Sequence, residues 1–318
     1  MKILIYGLGA IGSVYASALS EAGHRVWAWD LVDVIEKIKN REVKITGVLG
    51  THTSRLEQII SSMEQLDNYE FDLIIIALKA YDTKTAAQNI KSLVNRNNYV
   101  LLGQNGYGNY EAASEAIPKE NIIVARIIFG AETLQPGYAK VTVIADKVTI
   151  GNPDKLIDEQ KLKEWASLIS TAGVPTKTVP DIMKSLWGKI LYNSILNPLG
   201  AILEVNYGAL IADLGVCSII DQMIDEIFAV LKMEGQEVDW RSPEEYKTYF
   251  YQKLMPSTGA HLPSMLYDIR NGRKTEIDAL NGALSCLGAK HNVPTPANDL
   301  IIKLLKAKEQ MAFKFVER

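Results

Sequence analysis

The stretch Lys2-Ile3-Leu4-Ile5-Tyr6-Gly7-Leu8-Gly9-Ala10-Ile11-Gly12 decides the fold. Lys2 to Tyr6 form a short apolar strand that runs directly into three glycines spaced as GxGxxG. Ile11, Val14, Tyr15, Ala18 and Leu19 then recur at helical spacing, and Gly23 stops that helix. A second strand, Arg25 to Trp29, follows at once and ends at Asp30. Strand, glycine loop, helix, strand and terminal acid together make a dinucleotide-binding unit, whereas the glycines alone are weak evidence. Gly7 permits the tight turn, Gly9 lets the backbone approach a pyrophosphate, and Gly12 lets the helix lie close to the strand. The loop Gly7, Leu8, Gly9, Ala10, Ile11 and Gly12 then turns backbone N–H groups and a helix dipole towards phosphate. Asp30 stands where a carboxylate accepts hydrogen bonds from the adenosine ribose hydroxyls. The bland alternatives are a ligand-free glycine turn and a solvated aspartate at a strand end.

The apolar start, with Ala16-Ser17-Ala18 downstream, loosely imitates a secretory signal peptide. Three meaningfully spaced glycines and an immediate second strand favour the core-strand reading. Further along, Phe71 to Leu78 (FDLIIIAL) is a continuous apolar run, as expected for a strand covered on both faces. Tyr99 to Leu102 and Ile122 to Phe129 read as further strands, and Tyr138 to Ile150 reads as an antiparallel hairpin closing the domain. Strands alternating with helical segments predict an α/β fold with a doubly wound parallel sheet. After Pro180 long amphipathic patterns take over, at roughly 181–197, 216–235, 243–254, 274–290 and 297–313. The expected organisation is a Rossmann domain over residues 1–180 and an all-helical substrate domain over 181–318.

At 318 residues both halves can bury a core. A net charge of −3 and the lack of a basic run with interleaved aromatics argue against nucleic acid and anionic membranes as partners. No apolar run reaches the ~18 residues of a membrane span. Cys217 and Cys286 form no CxxC and the histidines show no metal-ligand spacing, so no metal is expected and the cytoplasm is the natural compartment. A homodimer is compatible with the sequence but not specified by it.

In the second half, Lys189, Asn193 and Asn197 lie at i, i+4 and i+8, one stripe along a helix whose other residues include Ile190, Leu191, Ile195 and Leu196. Either the stripe faces a polar cleft or it is an ordinary solvated face, and spacing alone leaves both open. Downstream, Gly272 marks a turn and Thr275-Glu276 is expected to begin a helix, where a first-turn acid is favoured by the dipole.

The sequence resembles the ketopantoate reductases. The resemblance rests on GLGAIG at 7–12, ALKAYDT at 77–83, QNGYG at 104–108, WGKILYNSILNPL at 187–199 and SMLYDIRNGRKTEIDALNG at 264–282, in that order and at approximate spacing. It covers nearly the whole chain, and the last two motifs are far more specific than the glycine loop. The resemblance implies NAD(P)H-dependent reduction of a 2-oxo acid, with ketopantoate giving pantoate in pantothenate biosynthesis. It further implies Lys189 as general acid and Glu276 against the substrate oxygen that is reduced. Asn193, Asn197 and Ser264 fall on substrate positions, Asn105 at the cofactor–substrate junction and Lys79 at the mouth of the cleft between the domains.

Two positions depart from the pattern. Many members place an arginine after the second strand to grip the 2′-phosphate of NADPH; here Asp30 is followed by Leu31, so NADH is the expected cofactor with NADPH as the second choice. Where the best-known members have an asparagine three residues before the substrate serine, this chain has His261, which leaves the particular 2-oxo acid open. A lactate or malate dehydrogenase type is disfavoured because none of His24, His52, His261 and His291 sits in a recognisable His-Asp context. Another branched 2-oxo acid, a β-hydroxyacid dehydrogenase and a non-catalytic nicotinamide-binding sensor remain as alternatives.

Overall fold

The computed structural model describes residues 1–66 and 69–316, with side chains of the last helix described as far as Phe313. The chain separates into two compact units, Met1–Ile182 and Met183–Arg318.

The described residues of the first unit form twelve strands: β1 (Lys2–Tyr6), β2 (Arg25–Trp29), β3 (Glu42–Gly47), β4 (His52–Arg55), β5 (Gln58–Ile60), β6 (Leu73–Ile76), β7 (Tyr99–Leu102), β8 (Ile122–Arg126), β9 (Phe129–Gln135), β10 (Tyr138–Ile144), β11 (Val148–Gly151) and β12 (Thr176–Thr178). Eight of them form one sheet in the order β12-β11-β8-β7-β6-β1-β2-β5. From β8 to β5 every pairing is parallel, and β11 joins antiparallel to β8. Leu73–Ile76 is buried at every position, as both faces of a central parallel strand require. The chain winds outward from β1 through β2 to β5, then returns to β6 on the other flank of β1. That reversal beside β1 is a topological switch point, where open α/β sheets bind ligands beyond the carboxyl ends of their strands.

Helices α1 (Ala10–Glu21), α2 (Val32–Ile35), α3 (Thr83–Ile90), α4 (Asn109–Ser114) and α5 (Glu159–Thr171) complete this unit. The periodicity of α1 predicts one apolar face, yet Gly12 through Leu19 are all buried. The cause is a second sheet, β4-β3-β10-β9, that packs on α1. Ser17 lies against it with its hydroxyl 3.0 Å from that of Ser54, and Tyr15 meets Phe129 edge-on at 6.3 Å. This sheet corrects the expected hairpin over 138–150. The hairpin is β9–β10, turning at Gly137, while β11 leaves it to join the main sheet. Alternation along Tyr138–Ile150 reports strand character but not the partner, which lies at 129–135 and 42–47.

The described residues of the second unit are helical: α6 (Ile182–Leu203), α7 (Tyr207–Leu210), α8 (Leu214–Glu234), α9 (Pro243–Tyr249), α10 (Met255–Thr258), α11 (Ser264–Arg270), α12 (Asn281–Lys290) and α13 (Pro296–Val316), with a π turn at Phe250–Leu254 joining α9 to α10. Helix α6 runs beyond the expected end at 197, through Pro198. A proline there cannot donate to the carbonyl of Ser194, one turn back. The fully buried Asn281 supplies the missing donor: its Nδ2 lies 2.9 Å from Ser194 O and 2.9 Å from Asn298 Oδ1. The helix expected over 274–290 also begins late. Ile277–Ala279 is a 3-10 turn and α12 starts only at Asn281.

Candidate active site

The expected cofactor residues all follow carboxyl ends of strands around the switch point: the glycine loop after β1, Asp30 after β2, Lys79 after β6 and Asn105 after β7. Gly7 has φ +106°, a conformation L side chains rarely adopt. A Cβ on Gly12 would fall onto the carbonyl oxygen of Gly7, whereas one on Gly9 meets nothing within 4 Å. The three glycines thus serve a turn, an open approach and a close packing, in that order. No side chain caps α1 at Gly9, so its first-turn N–H groups remain for a ligand.

Asp30 is 8% exposed, and its two oxygens each accept a backbone N–H: Leu8 at 2.6 Å and Leu31 at 2.7 Å. The carboxylate therefore ties β2 to the glycine loop, and each oxygen keeps a lone pair for a hydroxyl donor. Burial pushes the carboxyl above its ordinary value, only partly opposed by those two hydrogen bonds. Leu31 and Val32 beside it are exposed. The residues present fit a dinucleotide: a cradle without a side chain, an uncapped helix start and an acceptor-only group at the ribose position.

Lys79 and Asn105 are half-buried, and a network unseen in the sequence braces their loops. Gln104 Nε2 donates to Thr83 Oγ1 at 2.7 Å and to the carbonyl of Lys79 at 3.2 Å. The fully buried Thr83 hydroxyl lies 2.8 Å from Asn109 Oδ1, and Asn109 Nδ2 donates to the carbonyl of Asn105 at 2.9 Å. The signal was present, since these polar residues stand inside the ALKAYDT and QNGYGN stretches, but their pairing is not local.

In the second unit Lys189 is half-buried, while Asn193 is 9% and Asn197 5% exposed. The solvated-face alternative therefore fails for both asparagines. Asn193 makes no hydrogen bond to a described residue. Asn197 Oδ1 accepts from the Tyr207 hydroxyl at 3.0 Å and faces the Ser264 hydroxyl at 3.5 Å. The structure thus gathers Asn197 and Ser264 from segments 67 residues apart, together with Tyr207, which sequence reasoning did not single out. The ring of His261, tilted at 5.3 Å, also lies on Tyr207, and burial pushes the imidazole down from its ordinary value.

Glu276 is 7% exposed and precedes the 3-10 turn without capping it, so the first-turn-acid reading fails. Its neighbour Thr275 is fully buried with its N–H on Glu309 Oε1 at 2.7 Å, which anchors this segment to α13. No described helix is long and apolar enough to cross a membrane.

Comparison with known proteins bears directly on this arrangement. Models of the ketopantoate reductase PanE/ApbA family match residues 3–155, and its C-terminal part matches 181–309. The chain belongs to the ketopantoate reductase family. It is 42% identical to a 2-dehydropantoate 2-reductase of Aquifex aeolicus (strain VF5) over 99% of each chain. Among solved structures it is similar to D-mandelate dehydrogenase in ternary complex with NADH and anilino(oxo)acetate, at 29% identity and a TM-score of 0.87 over 98% of this chain and 99% of that one. It also shares the fold of a 2-dehydropantoate 2-reductase of Geobacter metallireducens GS-15, with a TM-score of 0.85 at 24% identity over 96% and 99% of the two chains. Ketopantoate reductases are NAD(P)H-dependent oxidoreductases that act on a CH–OH group, and this chain is an enzyme of that class.

Proposed function

We propose that this chain reduces ketopantoate to pantoate with NADH, with the first unit as cofactor domain and the second as substrate domain. The observation that carries the reading is full-length membership of the reductase family together with retention of Lys189 on the asparagine-bearing helix. The bound dinucleotide supplies hydride to the ketone carbon. As that C–H bond forms, the carbonyl π pair moves onto oxygen, and the Lys189 ammonium stabilises the growing charge and donates the proton. A positioned acid of this kind contributes roughly 10²–10⁴-fold. Glu276 orients the oxygen that is reduced, and Asn193, Asn197 and Ser264 hold the substrate by directional hydrogen bonds at near-attack distance. Lys79 and Asn105 complete the cofactor side.

The preference for NADH is electrostatic. A 2′-phosphate carries roughly −1.5 to −2 charge near neutrality. Beside the Asp30 carboxylate it meets repulsion, and the exposed Leu31 offers no guanidinium to offset it. At an effective dielectric near 20, unit charges about 4 Å apart interact by roughly 4 kcal/mol before salt screening. A surviving ~1.4–3 kcal/mol is a ten- to hundredfold preference. The cytoplasm is the compartment we assign, in keeping with two free cysteines.

The deciding experiment is NADH and NADPH oxidation against a panel of 2-oxo acids. The reading requires ketopantoate to give the highest kcat/KM and NADH to exceed NADPH about tenfold or more. A tenfold better branched or aromatic 2-oxo acid moves the enzyme elsewhere within 2-oxo acid reduction, and equal use of NADPH removes the Asp30 argument.

A further inference from the structure

Asn197 is almost wholly buried, yet only one end of its amide is used. Its Oδ1 receives the Tyr207 hydroxyl at 3.0 Å and lies 3.5 Å from the Ser264 hydroxyl, while its Nδ2 meets no partner among the described residues. The network decides which way the amide points. Tyr207 is 2% exposed, and Asn197 Oδ1 is its sole hydrogen-bond partner among the described residues. A flipped amide would leave the buried phenol proton without an acceptor, at the full desolvation cost of that group. Burial also pushes the phenol well above its ordinary value, so it stays a donor.

Tyr207 itself is fixed from three sides. Its backbone N–H donates to the carbonyl of His261 at 3.1 Å, the next N–H, of Gly208, donates to Gly259 O at 2.8 Å, and its ring lies between Tyr192, edge-on at 5.8 Å, and the His261 imidazole. The first turn of α7, the 259–261 segment and α6 thereby hold one hydroxyl against one amide oxygen.

We propose that Tyr207 is a positioning residue that makes Asn197 a pure hydrogen-bond donor towards the substrate, so that the substrate atom received there is an acceptor oxygen, such as one of the carboxylate of a 2-oxo acid. The inference rests on the reading of Asn197 as a substrate-binding residue. It adds a selectivity: a carboxylate is accepted here through either of its oxygens, whereas the corresponding 2-oxo amide is accepted only with its carbonyl oxygen turned towards Asn197 and is the poorer substrate.

The test is Tyr207→Phe, which removes the hydroxyl and keeps the ring against Tyr192 and His261. Steady-state kinetics with NADH are run on ketopantoate and on its carboxamide, beside Asn197→Ala. In Tyr207→Phe the amide can turn, so KM for the acid rises about tenfold, kcat changes much less, KM for NADH is unchanged, and the acid-to-amide ratio of kcat/KM shrinks at least threefold. That ratio does not depend on how much of the variant is folded, so a loss of stability cannot mimic the result. An unchanged ratio, or a wild-type enzyme that does not discriminate acid from amide, overturns the proposal. Asn197→Ala separates the two levels: if it weakens substrate binding while Tyr207→Phe is silent, only the positioning role fails, and if it too is silent, the substrate-binding assignment fails.

Discussion

The two units present their candidate residues on different materials. Around β1 the candidate cofactor surface is mostly backbone: an uncapped helix start, a Gly9 with empty space beside it, and one carboxylate held by two N–H groups. Around α6 the candidate groups are side chains: Lys189, Asn193 and Asn197, with Ser264 brought in from another segment and Tyr207 bracing Asn197 from behind. A backbone cradle depends on space and φ, so it fails through atoms added. A side-chain cradle depends on functional groups, so it fails through atoms removed. Substitutions of each kind should therefore break different measurements.

The broadest effect, on folding and cofactor binding together, is expected in the backbone half. Gly12→Ala places a Cβ on the Gly7 carbonyl oxygen, a backbone atom that cannot swing aside. Overpacking of this kind costs about 1–3 kcal/mol or more, so both the melting temperature and NADH binding should fall. Gly9→Ala is the matched control, because its φ of −65° suits alanine and the new methyl meets no protein atom. Its stability should stay within about ±0.5 kcal/mol while KM for NADH rises at least tenfold. Normal NADH binding by Gly9→Ala would show that the empty space beside Gly9 is not where the pyrophosphate lies.

In the side-chain half, Lys189→Ala should lower kcat by about 10²-fold or more and leave NADH affinity nearly unchanged. Fluorescence titration of NADH beside steady-state kinetics separates the two. Activity within a few-fold of wild type would remove Lys189 as the acid and leave the backbone half untouched.

The same contrast explains what could be read in advance. The dinucleotide unit is local: β1, the loop, α1, β2 and Asp30 lie within the first thirty residues, and each glycine has a physical reason stated by its spacing. The sheet β4-β3-β10-β9 was invisible because β3 finds its parallel partner β10 some ninety residues later, and short alternating runs do not name partners. The continuation of α6 through Pro198 was equally hidden, since the donor that repairs the gap is Asn281, 87 residues away. In the substrate half, periodicity places Lys189, Asn193 and Asn197 on one stripe but cannot say whether that stripe meets water. The rest of that constellation entered by resemblance alone. Tyr207 escaped even that, because its role is set by a partner on another helix and not by its neighbours in sequence.

The smallest effect expected is a pH dependence, and it tests the carboxylate that the backbone half presents. Burial holds the Asp30 carboxyl above its ordinary value of 3.8. Ribose hydroxyls donating to that carboxylate favour its charged form, so the value must be lower in the NADH complex than in the free enzyme. By linkage, affinity for NADH is complete above the free-enzyme value and is lost as the pH falls through it, by no more than tenfold per pH unit. The loss ends once the pH passes below the value in the complex. KM for NADH should accordingly rise on mild acidification, beginning at a pH above 3.8, while kcat at saturating NADH changes less. The control is Asp30→Ala, in which the pH dependence of KM for NADH should vanish and the gap between NADH and NADPH should close. A pH dependence that survives in Asp30→Ala would assign it to another group and leave the ribose contact without support.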